Sequence, residues 1–330
     1  MGGLDLKRLE SIKIPRVPLL QKCLLYGLLH PNFAFCPGVE IVYDNLPDLT
    51  DKPFIFAVNH TDRYNYFPAM YPLYMKGRVV SFWAKGKYYE NPILGNILSH
   101  LGTLPTVSRG YIIAKDFKRV TGRTPEAGEY RCLREIVENA ADESSTSVVP
   151  EDIFRSRRNI LGYEFDPDRE SYRNAVNNLF GKMMELFLAL HKESFEKGRD
   201  LFIFPEGTRS KTLLRGRPGI GQIALYFKDY PILPIGCSGS DKLYPGASPI
   251  AKRGRVVLRC GDPITYEDLS QYAITEEFTP FTPQAEERWG ENFQGVADLV
   301  MERINGLVEP EYRFGAERES GAAEGVKRFL

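Results

Sequence analysis

Apolar residues along the chain fall into two kinds of pattern. Short runs rich in β-branched and aromatic side chains occupy Val39–Tyr43, Phe54–Val58, Val79–Trp83, Leu104–Val107, Leu201–Phe204, Ile232–Ile235 and Val256–Cys260. Each is bounded by Gly, Pro, Asn or charge, and these runs predict strands. Helical periodicity lies between them, over Tyr66–Met75, Pro92–Leu101, Gly128–Ala141, Tyr172–Lys197, Gly219–Phe227 and Ala285–Val308. Strands alternating with helices predict an α/β fold with a largely parallel mixed sheet flanked by helices.

Two stretches stand outside this alternation. Pro15–Pro31 reads PRVPLLQKCLLYGLLHP, a leucine-rich segment carrying Arg16 and Lys22. It is too short to span a bilayer. A helix packed on the domain and a helix lying in a membrane interface both fit it, with Val17–Leu29 the candidate anchor. The second stretch, about Tyr111–Arg169, is charged, with ESSTS at Glu143–Ser147 and DPDRE at Asp166–Glu170. It reads as a helical insertion. The expected organisation is an N-terminal helical segment over residues 1–38, then one domain over 39–330 interrupted at about 111–169.

Composition narrows the function. Of 330 residues, 43% are apolar, enough for a substantial core and unlike a disordered chain. Lys plus Arg and Asp plus Glu number 43 each, so net charge gives no reason to expect nucleic acid. Any anion site must come from local clustering. The five cysteines, at 23, 36, 132, 237 and 260, form no CxxC pair and are odd in number. That argues against a disulfide framework or a zinc site, and for a reducing compartment. No metal or cofactor is expected. The charged first residues lack a signal-peptide pattern. With four histidines, at 30, 60, 100 and 191, few groups can act as a base near neutral pH.

Two blocks lie just past predicted strand ends, where open α/β sheets place their sites. The first is Asn59-His60-Thr61-Asp62-Arg63-Tyr64-Asn65, after FIFAV. A His at a strand-to-helix turn, with a polar side chain five residues on that accepts from its Nδ1–H, has its other nitrogen left to take a proton from a hydroxyl. A satisfied structural His is the alternative. The second is Pro205-Glu206-Gly207-Thr208-Arg209-Ser210, after LFIF. Its Pro and Gly set a tight turn, and Arg209 offers a planar fork suited to phosphate. A loop salt bridge between Glu206 and Arg209 is the alternative.

Taken together, the blocks resemble the glycerolipid acyltransferase superfamily, which contains lysophosphatidic acid and glycerol-3-phosphate acyltransferases. The family carries an NHxxxxD block, a second block ending in Arg, an FPEGTRS block and an apolar-Pro-apolar block. Here Phe204–Ser210 is complete, Gly102–Arg109 resembles the second block and Ile232–Ile235 the fourth. Lys85, Pro92, Gly95 and Gly219 fall where intervening features are expected, and the resemblance spans about Val39 to Ile264. It implies that His60 deprotonates an acceptor hydroxyl, which attacks the thioester of acyl-CoA or acyl-carrier protein. It further implies that Arg109, Glu206, Gly207 and Arg209 hold the acceptor's phosphate or polar head, with Thr208 and Lys85 as further binding candidates. The implied acceptor is a lysophospholipid or a glycerol-phosphate compound, and the implied location is the cytoplasmic face of a membrane, bound peripherally. No GxSxG elbow accompanies these blocks, so no acyl-enzyme on a serine is implied.

One residue departs from the family pattern. Asn65 stands where the family has an acid. Its amide oxygen can fix the ring tautomer but cannot neutralise an imidazolium with a full charge. Three readings remain open: a working His60–Asn65 pair, Asp62 supplying the carboxylate instead, or a catalytically weak or inactive module that binds lipid. The insertion, with Arg155, Arg157 and Arg158, raises a further alternative, an acceptor that is not a glycerophospholipid.

Overall fold

The computed structural model describes residues 4–15, 19–47, 49, 52–138, 141 and 148–315. The ESSTS segment, Arg16 and Val17 lie outside the described residues. The chain divides into two compact units. Among the described residues, unit 2 takes in 15–83 and 193–315, and unit 1 takes in 4–14 and 84–192. These boundaries do not follow the division at residue 38 or the insertion limits read from the sequence.

Unit 2 holds most of the sheet. Its strands are β1 (Val39–Asp44), β2 (Ile55–Val58), β3 (Val80–Lys85, which runs into unit 1), β7 (Asp200–Ile203), β8 (Ile232–Ser238) and β9 (Gly254–Cys260). Their order is β1-β9-β8-β2-β7-β3. β2 runs parallel to β7 and β8, β3 parallel to β7, and β1 parallel to β9, while β8 and β9 are antiparallel. The sheet is therefore mixed and mostly parallel. β2, β7 and β8 are buried at every position, as parallel strands covered on both faces must be. Helices α4 (Tyr66–Met75), α10 (Gly219–Tyr226), the short α11 (Ser240–Leu243) and α12 (Pro283–Leu307) complete the unit.

The leucine-rich N-terminal segment also belongs to unit 2. It forms α2 (Leu19–Leu24), a π-helical turn over Leu25–Leu29 and α3 (His30–Ala34). Leu25 and Leu29 are buried in the same core cluster as Phe56, Phe67 and Leu73, with Leu24 and Leu28 packed against it. The packed helix is thus what most of this segment forms, while Leu19 and Tyr26 remain exposed at 66% and 65%.

Unit 1 contains α1 (Leu6–Ser11), α5 (Pro92–Leu101), β4 (Leu104–Thr106), α6 (Arg109–Thr121), α7 (Ala127–Val137), α8 (Asp152–Arg155), the hairpin β5 (Arg158–Ile160) and β6 (Tyr163–Phe165), and most of α9 (Tyr172–Glu196). β4, the sheet's seventh strand, follows the end of β3, where Thr106 Oγ1 donates to Ala84 O at 3.3 Å. α6 begins where the sequence marks it: Ser108 caps it by accepting from Tyr111 N, and it stops at Gly122, whose φ is +75°. Arg155, Arg157 and Arg158 of the insertion are all ion-paired, and of the three only Arg158 has a largely buried side chain. Arg158 forks onto the buried Asp116 at 2.8 and 2.6 Å, Arg157 pairs with Asp166 and Asp168, and Arg155 pairs with Glu151.

Candidate active site

Sheet register brings the two blocks together. Ala57 of β2 is level with Ile203 of β7 and with Pro234 of β8. His60, Glu206 and Cys237 each lie three positions further along these parallel strands, so all three reach the same end of the sheet.

Backbone and side-chain hydrogen bonds lock the loops to each other. Glu206 Oε2 accepts from His60 N at 2.6 Å and Oε1 from Leu214 N at 3.0 Å. Ser210 N donates to His60 O at 2.9 Å, so the second block holds both backbone groups of His60. Asn59 binds β8 as a peptide would, with Nδ2 donating to Cys237 O and Oδ1 accepting from Cys237 N. Gly207, at φ +65°, makes the turn that returns Glu206 toward the sheet. Glu206 is therefore a clamp on the loop carrying His60 rather than a partner of Arg209.

The His60 ring is oriented from two sides. It stacks on Phe204, with centroids 3.9 Å apart and planes 10° from parallel. Its Nδ1 lies 2.9 Å from Asn65 Oδ1. Asn65 is fully buried, and its Nδ2 donates to Asn59 O at 2.6 Å. That second bond settles which way the amide faces, leaving Oδ1 to accept from Nδ1–H. The neutral ring then carries its proton on Nδ1, and Nε2 is the acceptor.

Asp62 does not approach the ring in this way. Its Oδ1 accepts from Tyr64 N at 2.8 Å and its Oδ2 from Thr61 Oγ1 at 2.9 Å. A residue two places from His60 turns back onto its own loop, forming a local turn. Burial raises its carboxyl above the ordinary range, against the hydrogen bond from Tyr64. Burial also pushes Glu206 up to about 7, against the two backbone donors. It holds the Cys237 thiol well above its ordinary range, an un-ionised state unlike that of a nucleophile.

An open cavity of about 550 Å³ lies beside the first block, lined by Thr61, Asp62, Arg63, Thr208, Arg209 and Tyr244 among others. Two arginines face one cavity, an arrangement suited to a phosphate or carboxylate. Arg63 and Tyr244 were not singled out from sequence. Arg63 had a signal, as a cation inside the block that carries His60, whereas Tyr244 is distant in sequence and had none. Lys85 and Arg109 fall in unit 1. Arg109 Nε donates there to Asn177 Oδ1 at 2.8 Å, and its guanidinium lies over the Phe180 ring at 4.4 Å. Among the described residues no cluster of three or more His, Cys, Asp or Glu is placed to hold a metal ion.

Comparison with known proteins adds one family. Residues 178–238 match the family model described as Acyltransferase. That span includes Phe204–Ser210 and Ile232–Ile235. No curated protein matches the chain. Among solved structures, the chain is similar to a 1-acyl-sn-glycerophosphate (LPA) acyltransferase, PlsC, from Thermotoga maritima. The identity is 16% over 89% of this chain and 79% of that one, with a TM-score of 0.36.

Proposed function

We propose that this chain, whose residues 178–238 match the family model described as Acyltransferase, transfers a fatty acyl group from acyl-CoA or acyl-carrier protein to an acceptor hydroxyl. The acceptor class we favour is a lysophospholipid or glycerol-phosphate compound. The observation that carries this reading is the bond between His60 Nδ1 and Asn65 Oδ1, which leaves Nε2 as a base.

In this reading Nε2 takes the hydroxyl proton as the oxygen attacks the thioester carbonyl. The tetrahedral intermediate collapses with loss of thiolate, and the imidazolium returns its proton to that sulfur. Asn65 fixes the tautomer, Glu206 and Ser210 fix the backbone of His60, and Phe204 fixes the plane of the ring. Thr208, Arg209 and Arg63 receive the acceptor's anionic head in the adjoining cavity. For Arg109 and Lys85 the anion-binding role remains the one the resemblance implies. Lysolipid acceptors reside in bilayers, so the enzyme is assigned to work at a membrane surface. Among the described residues no helix is long and apolar enough to cross one.

The deciding experiment incubates purified protein with a matrix of acyl-CoA and acyl-carrier-protein donors against lysophospholipid and glycerol-phosphate acceptors, read by mass spectrometry. His60→Ala is expected to lower turnover by about 10²–10⁴-fold, the contribution of a general base. Unchanged transfer would remove His60 from the mechanism. Absence of transfer in the wild type, with lipid still bound, would favour a non-catalytic lipid-binding module.

A further inference from the structure

Helix α5 carries an apolar face that nothing among the described residues covers. Ile93 is 74% exposed, Leu94 39% and Ile97 43%, and Tyr88, just before the helix, is 44% exposed. The helix itself is well made. Asn91 caps its start by accepting from Ile93 N and Leu94 N, Pro92 opens it, and Gly102 closes it in the left-handed region. Frayed structure therefore does not explain the exposure.

The inward side of α5 is marked by Gly95. A Cβ there would meet the Tyr89 backbone at 3.0 Å and the Arg8 side chain at 2.2 Å. At about 100° per residue, Ile93 and Ile97 stand roughly opposite Gly95 on the helical wheel. The small residue is turned in for close packing and the isoleucines are turned out, the reverse of an ordinary surface helix.

Charge identifies the occupant. From Asn91 to Leu101 the helix has no acidic residue, while Lys85 and Lys87 precede it. The one acid in the preceding turn, Glu90, is engaged by Lys115 Nζ at 2.8 Å and by the Tyr111 hydroxyl at 3.1 Å. Exposed branched aliphatics, a boundary tyrosine and cationic flanks match an anionic lipid surface. We propose that α5 is a membrane-docking element that lays Ile93, Leu94 and Ile97 into the interface of an anionic bilayer. Because α5 leads directly into Gly102–Arg109, docking holds that block at the lipid surface where a bilayer-resident acceptor would be met. Only this last consequence rests on the acyl-transfer reading.

The test uses the full chain and vesicles of equal parts phosphatidylcholine and phosphatidylglycerol, read by co-flotation. Ile93→Asn with Ile97→Asn is expected to weaken vesicle binding by about tenfold or more, since two exposed isoleucines lose the apolar area they would bury in the bilayer. Lys87→Gln is expected to weaken it further at low salt and have little effect at high salt. Thermal denaturation of each variant checks that the fold is kept, as expected for exposed positions. Wild-type affinity in the double variant would overturn the proposal. So would a change of oligomeric state without a change in flotation, which would assign the face to a second copy of the chain. Flotation needs no turnover, so an inactive wild type that still binds vesicles would defeat the acyl-transfer reading alone.

Discussion

At position 65 the amide does two things that a carboxylate cannot do together. Oδ1 faces His60 Nδ1 at 2.9 Å, and Nδ2 donates to Asn59 O at 2.6 Å. In Asn65→Asp one carboxylate oxygen would face that carbonyl oxygen inside a fully buried site. The expected cost is about 1–3 kcal/mol of stability, the penalty for a buried polar group left without a donor. The variant should melt lower than wild type and turn over no faster, as thermal denaturation and initial rates would check. A large rate gain would instead mean that the native pair is handicapped by its missing charge. The site was only partly legible in the sequence. The residues His60, Asn65 and Glu206 stand out, and the spacing of five between His60 and Asn65 suggested their contact. The role of Glu206 did not, because its partners are backbone N–H groups of His60 and Leu214, which no side-chain pattern reveals. Asp62 has the chemistry of a substitute carboxylate, but its oxygens accept from Thr61 Oγ1 and Tyr64 N.

Among the elements, the buried strands were the most legible. All seven β-branched or aromatic runs form strands, with ends moved by one to three residues. The sequence pattern does not mark the hairpin β5–β6, for a specific reason. Its strands are short, and its two-residue turn is Leu161-Gly162, with φ of +46° and +93°. Leucine at a positive φ hides a turn that Asn-Gly would announce. The bond from Gly162 N to Asn159 Oδ1, at 2.7 Å, helps hold it. The charged composition of the insertion masks α6, although Ser108 and Gly122 mark both its ends. The N-terminal leucines pose the opposite problem, since their periodicity fits a core helix and an interfacial one equally. Leu29 is fully buried in the core of unit 2. Leu29→Ala should therefore cost about 2–5 kcal/mol, read as a fall in the denaturant midpoint at constant slope. For the same reason, deleting residues 1–31 would strip Leu4, Leu9, Ile12 and Ile14 as well as Leu25 and Leu29 from buried positions. Loss of membrane binding in such a truncation would report unfolding. Polar substitutions at the exposed Leu19 and Tyr26 are the cleaner probe of that segment.

Across the whole molecule, two buried groups in different units give stability opposed pH dependences. Burial lowers His191 from 6.5 to about 4, even though its Nδ1 is hydrogen-bonded to Phe187 O at 2.7 Å. The unfolded chain takes up that proton more readily, so His191 disfavours folding in acid and this penalty is relieved as pH rises from about 4 to about 6.5. Glu206 acts in the other direction. Its folded value is raised from 4.5 to about 7, so its contribution is complete below about 4.5 and is lost as pH rises through about 7. Each effect is on the order of 2–4 kcal/mol. Asp62 and Asp200, both raised by burial, act with Glu206. Between about pH 4.5 and 6.5 the opposing slopes should largely cancel, leaving wild-type Tm with a shallow fall. His191→Gln removes the rising contribution, and its Tm should fall more steeply with pH. Glu206→Gln removes the largest falling one, and its Tm should level or rise, although its absolute value drops because an amide N–H₂ would face a backbone N–H. Calorimetry at closely spaced pH values reads the slopes directly. If His191→Gln and wild type gave the same slope, His191 would not be the buried neutral group that this balance requires.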